Sequence, residues 1–406
     1  MLSSVRSPRQ IISGAGSAST AGALAGSLGR TALLVSDPII SKHPGFDVVS
    51  RSLEQAGVTV VPFLEAQAEV PLTTIDAACE VASQADVDVI VAIGGGSVID
   101  LGKVVAVLLA HGGSVRDYYG ECQVPGPTVP LVALPTTAGT GSEVTPVAVV
   151  SDPERDLKVG LSSVFAIPTF AICDPELTLS CPRGVTAHSG LDALCHAVES
   201  FTAITRPLTP ASFVDSVFVG KNFVSDEFAL RAVEGLARSL RTAVDDGQNL
   251  EARTEVMQAS TLAGVAFAHS GTGAPHAMQY PIGADTKTPH GLGVGLLLPY
   301  VLTVNRMIVT AELQTLAQRA GVATEGASAL ADADAFIGWV WDLNGHVGIP
   351  RSLQEIGLER SSIPDVAQRT STVTRLLQND PGTPDIPALE RILDAAWQGD
   401  PDILVS

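Results

Sequence analysis

The apolar run Val87–Ile93 breaks directly into three consecutive glycines, Gly94 to Gly96. A run of that length, rich in Val and Ile, suits a strand covered on both faces. Glycines after it allow a tight turn and a close backbone approach to a ligand. Around this point the first half of the chain repeats one pattern. Strand-type runs at Thr31–Ser36, Val58–Pro62 and Val129–Leu134 alternate with helical stretches at Gly45–Ala56 and Thr73–Gln84. That alternation predicts βαβ units and a parallel sheet. Val144–Val150 and Phe170–Asp174 read as later strands of the same domain.

Beyond about Val185 the texture changes to long helical patterns, such as Ser189–Phe201, Phe228–Val244, Leu250–His269 and Ala388–Trp397. The expected organisation is an α/β domain over residues 1–183 and a helical domain over 184–406, with the junction at Cys181–Gly184. Arg206–Val224 is an irregular stretch, readable as a lid or a dimer contact.

Composition narrows the function. A chain with 46% hydrophobic and 17% charged residues is globular rather than disordered. A net charge of −19 argues against nucleic-acid binding, which needs clustered Lys and Arg against phosphates. Five cysteines, none in a CxxC spacing, fit a reducing compartment. With no signal-peptide pattern and no membrane-spanning run, the expectation is a cytoplasmic protein that does not engage a membrane.

Two glycine-rich loops follow strands. The first, Gly94–Asp100, leads into a helical stretch from Lys103, so backbone N–H groups and a helix N-terminus can face a pyrophosphate. Ser97 adds a hydroxyl donor there. Asp100 either stabilises the helix start or bonds a ligand. The second loop, Pro135–Glu143, places hydroxyls among small residues around a space that no bulky side chain fills. Asp37, closing the first strand, suits a carboxylate on the adenosine ribose and would repel a 2′-phosphate, favouring NAD over NADP. An Asp–Pro pair is also an ordinary turn starter.

Asp192 and His196 lie four apart in an otherwise apolar helical pattern, hence on one face. Burying that pair without a partner is costly, so a shared ion is the natural reading. His276 and His290, each next to a proline, supply two more imidazoles. One carboxylate and three imidazoles suit Fe²⁺ or Zn²⁺. His188 and His269 are further candidates.

The motifs GGGSVID (94–100), PTTAGTGSE (135–143), DPELTLSCP (174–182), GLDALCHAVE (190–199), GAPHAMQYPIGA (273–284) and PHGLGVGLLLP (289–299) together resemble the iron-containing (group III, metal-dependent) alcohol dehydrogenase family across the whole chain. The resemblance implies a dinucleotide-binding α/β domain like that of dehydroquinate synthase, an all-helical C-terminal domain and a cofactor between them. It implies metal ligation by Asp192, His196, His276 and His290. It implies NAD contacts by Asp37, Gly95, Gly96, Ser97, Asp100, Thr136, Thr137, Thr140, Ser142 and Lys158. It also implies a homodimer or higher oligomer acting on a small alcohol or carbonyl substrate. Many members carry a second histidine four residues after the third ligand; this chain has Tyr280 there, as does the hydroxyacid-oxoacid transhydrogenase branch. His276 and Tyr280 are thus the candidate catalytic pair, with Tyr280 a proton donor, a substrate-binding group or wall packing. Transhydrogenation is the alternative activity. A maleylacetate-type reductase, which would want cationic groups near the site, and a dehydroquinate-synthase-like lyase rank lower.

Overall fold

The computed structural model of the chain describes residues 2–155 and 158–405. They form two compact units. The first comprises Arg6–Cys181 and Thr209–Val217, and the second comprises Pro182–Leu208 and the chain from Phe218, with the residues before Arg6.

Along the first unit run β1 (Gln10–Ser13), α1 (Ala21–Gly26), β2 (Thr31–Val35), α2 (Pro44–Gln55), β3 (Thr59–Phe63), α3 (Leu72–Gln84), β4 (Val89–Gly94), α4 (Gly96–His111), β5 (Gly120–Glu121), β6 (Leu131–Pro135), β7 (Val147–Val150), β8 (Val159–Ser162) and β9 (Phe170–Cys173). Six strands make a parallel sheet in the order β1-β9-β6-β4-β2-β3. The chain leaves β2 outward to β3 and returns to β4 on the other side. This reversal of strand order is where open α/β sheets leave a ligand crevice at their carboxyl ends.

Burial explains the uninterrupted apolar run. Ile90 and Ala92 pack with Ile75 and Ala78 of α3 and Val104 and Val105 of α4, while Val89, Val91 and Ile93 face Ala25, Val49 and Leu53 of α1 and α2. Each such side chain contributes roughly 1.5–3 kcal/mol over leaving it exposed. The strand starts two residues later than the apolar run, because the Asp88 carboxylate instead accepts the Arg30 and Thr31 N–H groups at 2.8 Å, capping β2.

Val144–Val150 belongs to a second sheet rather than the first. Here β7 pairs antiparallel with β8, and β8 pairs parallel with β5. Lys103, fully buried on α4, holds this sheet by donating to the Thr145 carbonyl at 2.9 Å and the Val147 carbonyl at 2.6 Å.

The second unit is helical: α5 (Arg183–Thr202) precedes, and after the excursion carrying α6 (Ser212–Asp215) follow α7 (Phe223–Asp245), α8 (Leu250–Ser270), α9 (Ala274–Thr286), α10 (His290–Asn305), α11 (Thr310–Ala320), α12 (Ala329–Val347), α13 (Ile363–Ser371), α14 (Thr374–Leu377) and α15 (Ile386–Gln398). None of the described helices is long and apolar enough to cross a membrane. From Gly190 to Thr202 every residue of α5 is buried. The α6 excursion belongs to the α/β unit, where the Arg6 guanidinium donates to the carbonyls of Phe213 (2.5 Å), Ser216 (3.1 Å) and Val217 (3.2 Å). The Glu121 carboxylate accepts the Val217 N–H.

Candidate metal centre and nucleotide loops

The two glycine loops leave neighbouring strands side by side. Gly94 ends β4 in register with Pro135 at the end of β6, and the Thr136 N–H donates to the Gly94 carbonyl at 3.0 Å. Helix α4 starts at Gly96, seven residues ahead of the expected helical stretch, with Gly95 as its cap. Glycine is required at 96: a Cβ there would stand 2.7 Å from Thr140 Cγ2 and 2.9 Å from its Oγ1. Asp100 is therefore past the first turn. It accepts from the Ser142 hydroxyl at 2.5 Å and the Val149 N–H at 3.0 Å, tying α4 to the second loop.

The remaining nucleotide-site candidates are dispersed around these loops. Thr136 is buried, while Thr137 Oγ1 lies 3.7 Å from the Cβ position of Gly95. Thr140 Oγ1 accepts the Ser142 N–H at 3.2 Å. Ser97 accepts the Glu69 N–H at 3.2 Å, and Lys158, just before β8, pairs with the Glu69 carboxylate at 2.9 Å. Asp37 follows β2, its Oδ1 accepting the N–H groups of Ile39 (2.8 Å) and Ile40 (2.9 Å).

In the helical unit, Asp192 and His196 share one face of α5. Their companions come from the starts of two helices: His276 from the first turn of α9, where Pro275 is tolerated, and His290 as the first residue of α10. Around Asp192 Oδ1 stand three imidazole Nε2 atoms, those of His276 and His290 at 3.6 Å and that of His196 at 3.8 Å. Ligand atoms of Asp192, His276 and His290 all lie within 4.8 Å of one another. His196 stands against this trio, its ring stacked between Phe267 (4.0 Å) and His276 (4.7 Å). Close helix contact makes the cluster. A Cβ at Gly291 would fall 2.1 Å from the His188 carbonyl oxygen, so only glycine lets α10 lie against α5.

The electrostatics call for a cation. Burial opposes the charge on Asp192, yet His196, His290 and His276 outweigh it and hold the carboxyl well below the usual range. Burial likewise disfavours charge on His276, but Glu199 and Asp192 raise its pKa to about 9. Asp192 Oδ1 and His276 Nε2 are buried with no hydrogen-bond partner. Such orphaned atoms are rare and costly in a folded interior, and the donor set of carboxylate and imidazoles fits a divalent transition metal.

Two neighbours of the site were given no role by the motif reading. Glu199, on the Asp192–His196 face of α5, bonds His276 Nδ1 and accepts the N–H groups of Gly273 at 2.9 Å and His276 at 3.5 Å. Its signal was available, since positions 192, 196 and 199 form one helical stripe. Asp380 accepts the Ala274 N–H at 3.1 Å, so two buried carboxylates cap α9 at its positive end. Tyr280 is half-buried, its ring 6.4 Å from that of His290; burial raises its pKa, and Arg375 works against the rise. Of the further candidates, His269 is buried with Nδ1 2.8 Å from the Val265 carbonyl, and His188 is half-buried on α5.

Residues 8–175 match the family described as iron-containing alcohol dehydrogenase, and residues 186–397 match the C-terminal part of the Fe-containing alcohol dehydrogenase family. The chain belongs to the iron-containing alcohol dehydrogenase family. Among its relatives, the NAD-dependent methanol dehydrogenase of Bacillus methanolicus is 34% identical over 82% of this chain and 84% of its own length. A 1,3-propanediol oxidoreductase structure is similar at a TM-score of 0.91 and 30% identity, covering 98% of this chain and all (100%) of the other. The alcohol dehydrogenase of Oenococcus oeni gives 0.90 at 30% identity, with the same coverage of 98% and 100%. The expected architecture of an α/β dinucleotide-binding part and a helical part is that of this family. This member is an oxidoreductase of the metal-dependent alcohol dehydrogenase class.

Proposed function

We propose that this chain moves a hydride between an alcohol and NAD, with a divalent ion held by Asp192, His196, His276 and His290. The observation that carries this reading is Asp192 Oδ1, a buried carboxylate oxygen without a hydrogen-bond partner, facing three imidazole nitrogens at 3.6–3.8 Å. An unpaired buried charge costs several kcal/mol, and a cation among these groups removes that cost. Iron is the ion the family is named for, and the same donors accept Zn²⁺. Bound there, such an ion supplies Lewis-acid polarisation of a substrate oxygen.

The protein's own groups orient and bind. Glu199 accepts from His276 Nδ1, which leaves Nε2 as the lone-pair donor facing Asp192. Tyr280, with its pKa raised, stays protonated at neutral pH and offers a hydroxyl donor. In the α/β unit, Gly95 and Gly96 keep the α4 N-terminus clear of side chains so that its N–H groups meet a pyrophosphate. Ser97, Asp100, Thr136, Thr137, Thr140, Ser142 and Lys158 surround that approach, with Asp37 on the ribose and NAD favoured over its 2′-phosphorylated form. The reading includes a cytoplasmic location, consistent with five free cysteines, and assembly as a homodimer or larger oligomer.

The test is NADH formation from a panel of alcohols, with metal-stripped protein run beside protein reloaded with Fe²⁺ or Zn²⁺. Asp192→Ala is expected to lose both bound metal and turnover while keeping its circular-dichroism spectrum. Turnover that survives stripping or this substitution would overturn the assignment.

A further inference from the structure

Positions 96, 100 and 103 lie on one stripe of α4, and that stripe meets the second glycine-rich loop and its exit. At its start Gly96 packs against Thr140. One turn on, Asp100 accepts the Ser142 hydroxyl at 2.5 Å and the Val149 N–H at 3.0 Å. A further turn brings Lys103, whose Nζ donates to the Thr145 carbonyl (2.9 Å), the Thr145 hydroxyl (3.2 Å) and the Val147 carbonyl (2.6 Å). The side chain is 1% exposed.

Three oxygens around one nitrogen match an ammonium, which has three N–H donors and no lone pair. A neutral amine has two N–H groups and a lone pair, so one of the three oxygens would meet a lone pair. Burying an ammonium is unfavourable unless it is paired and hydrogen-bonded, and packing alone would be served by an apolar side chain. What the charge adds is a fixed place for the chain that leaves the loop.

We propose that Lys103 is a positioning residue for the nucleotide: its ammonium holds the exit of the Pro135–Glu143 loop against α4 in the geometry that takes NAD, so binding requires the charged form of this side chain. The proposal rests on the NAD-binding reading above. Burial lowers the Lys103 pKa to about 8, while Asp100 of α4 and Glu143 of the second loop favour the charge. The other elements packed closely on α4 offer little else. Strands β2, β4, β6 and β7 and the turn at Val164–Ala166 carry no titratable side chain. On α3, Asp76 and Glu80 are exposed, and burial keeps the Cys79 thiol protonated. If NAD selects the charged form, its binding takes up a proton above pH 8 and none well below it.

The experiment titrates NADH into the metal-loaded protein without alcohol, by fluorescence, on both sides of pH 8. Calorimetry in buffers of different ionisation enthalpy counts protons. Wild-type affinity should be level below pH 8 and fall up to about tenfold per pH unit above it, with uptake of up to about one proton. Lys103→Met should bind about tenfold more weakly below pH 8, without the alkaline fall or the uptake. Lys103→Arg, charged throughout, should lose the alkaline fall while keeping tighter binding than Lys103→Met. Proton uptake by the wild type tests the idea even where a variant does not fold. No uptake across pH 8, an alkaline fall that persists in Lys103→Met, or wild-type affinity in that variant with only a lower melting temperature overturns the proposal. Absence of NADH binding by the wild type at every pH removes the NAD reading itself.

Discussion

Replacing Glu199 by Gln keeps the volume of a buried side chain and removes one acceptor. The carboxylate serves three N–H groups: Oε1 takes the backbone of Gly273 at 2.9 Å and of His276 at 3.5 Å, and Oε2 takes His276 Nδ1. A glutamine has one oxygen for these two directions. If that oxygen stays on the backbone, the amide NH₂ faces Nδ1 and drives the ring proton to Nε2, the atom turned toward Asp192. If it turns to the ring, the N-terminal donors of α9 lose their acceptor, at about 1–3 kcal/mol for a buried unsatisfied group. The first outcome weakens metal binding, by about 10–100-fold for loss of such an outer partner. We expect a fall in that range, read by competition with a chelator of known affinity at constant pH, together with melting of the metal-free protein. Metal affinity within about threefold of wild type, combined with a lower melting temperature, would reduce Glu199 to a helix cap and refute the reasoning.

Other substitutions test separate parts of the structure. Gly291→Ala puts a Cβ 2.1 Å from the His188 carbonyl oxygen, so α10 must shift; we expect a loss of about 1–3 kcal/mol in chemical denaturation and weaker metal binding. Gly96→Ala collides with Thr140, and NAD affinity measured by fluorescence titration should drop about tenfold while metal content stays at the wild-type level. The Arg116 guanidinium grips Asp152 through bonds of 2.8 and 2.9 Å and lowers its pKa to about 2. A depressed folded-state value stabilises the fold above the unfolded value of 3.8, and this is lost as pH falls through 2. Asp152→Asn should therefore lower the melting temperature at neutral pH, by a margin that shrinks between pH 4 and 2.

Much of the fold was legible because burial imposes period and length. The run at β4 reads as apolar throughout since both its faces are covered, and Asp192 with His196 is visible because a helix repeats every 3.6 residues. Where local propensity and tertiary contact disagree, reading failed. Glycines at 95 and 96 disfavour a helix, and the tight packing of Gly96 against Thr140 is visible only in the folded chain. The strand at Val147–Val150 was legible as a strand, but its antiparallel partner is set by long-range pairing that no local pattern encodes. Glu199 was in view inside a motif and had no role until its partner, 77 positions away, could be placed. Asp380 lies in a stretch without periodicity, so only the folded chain brings it to the start of α9.

The excursion through Thr209–Val217 bears on how this enzyme can be taken apart. Three carbonyl acceptors of Arg6 lie on it, so a fragment ending at Cys181 contains the guanidinium without these three acceptors. The Glu121 carboxylate likewise loses its N–H donor on Val217. A single cut cannot separate the units, and a chimera made by one crossover inherits an α/β half with a piece missing. Exchange of nucleotide-binding halves between such enzymes requires two further junctions, one on each side of Thr209–Val217, so that this segment travels with Arg6–Cys181.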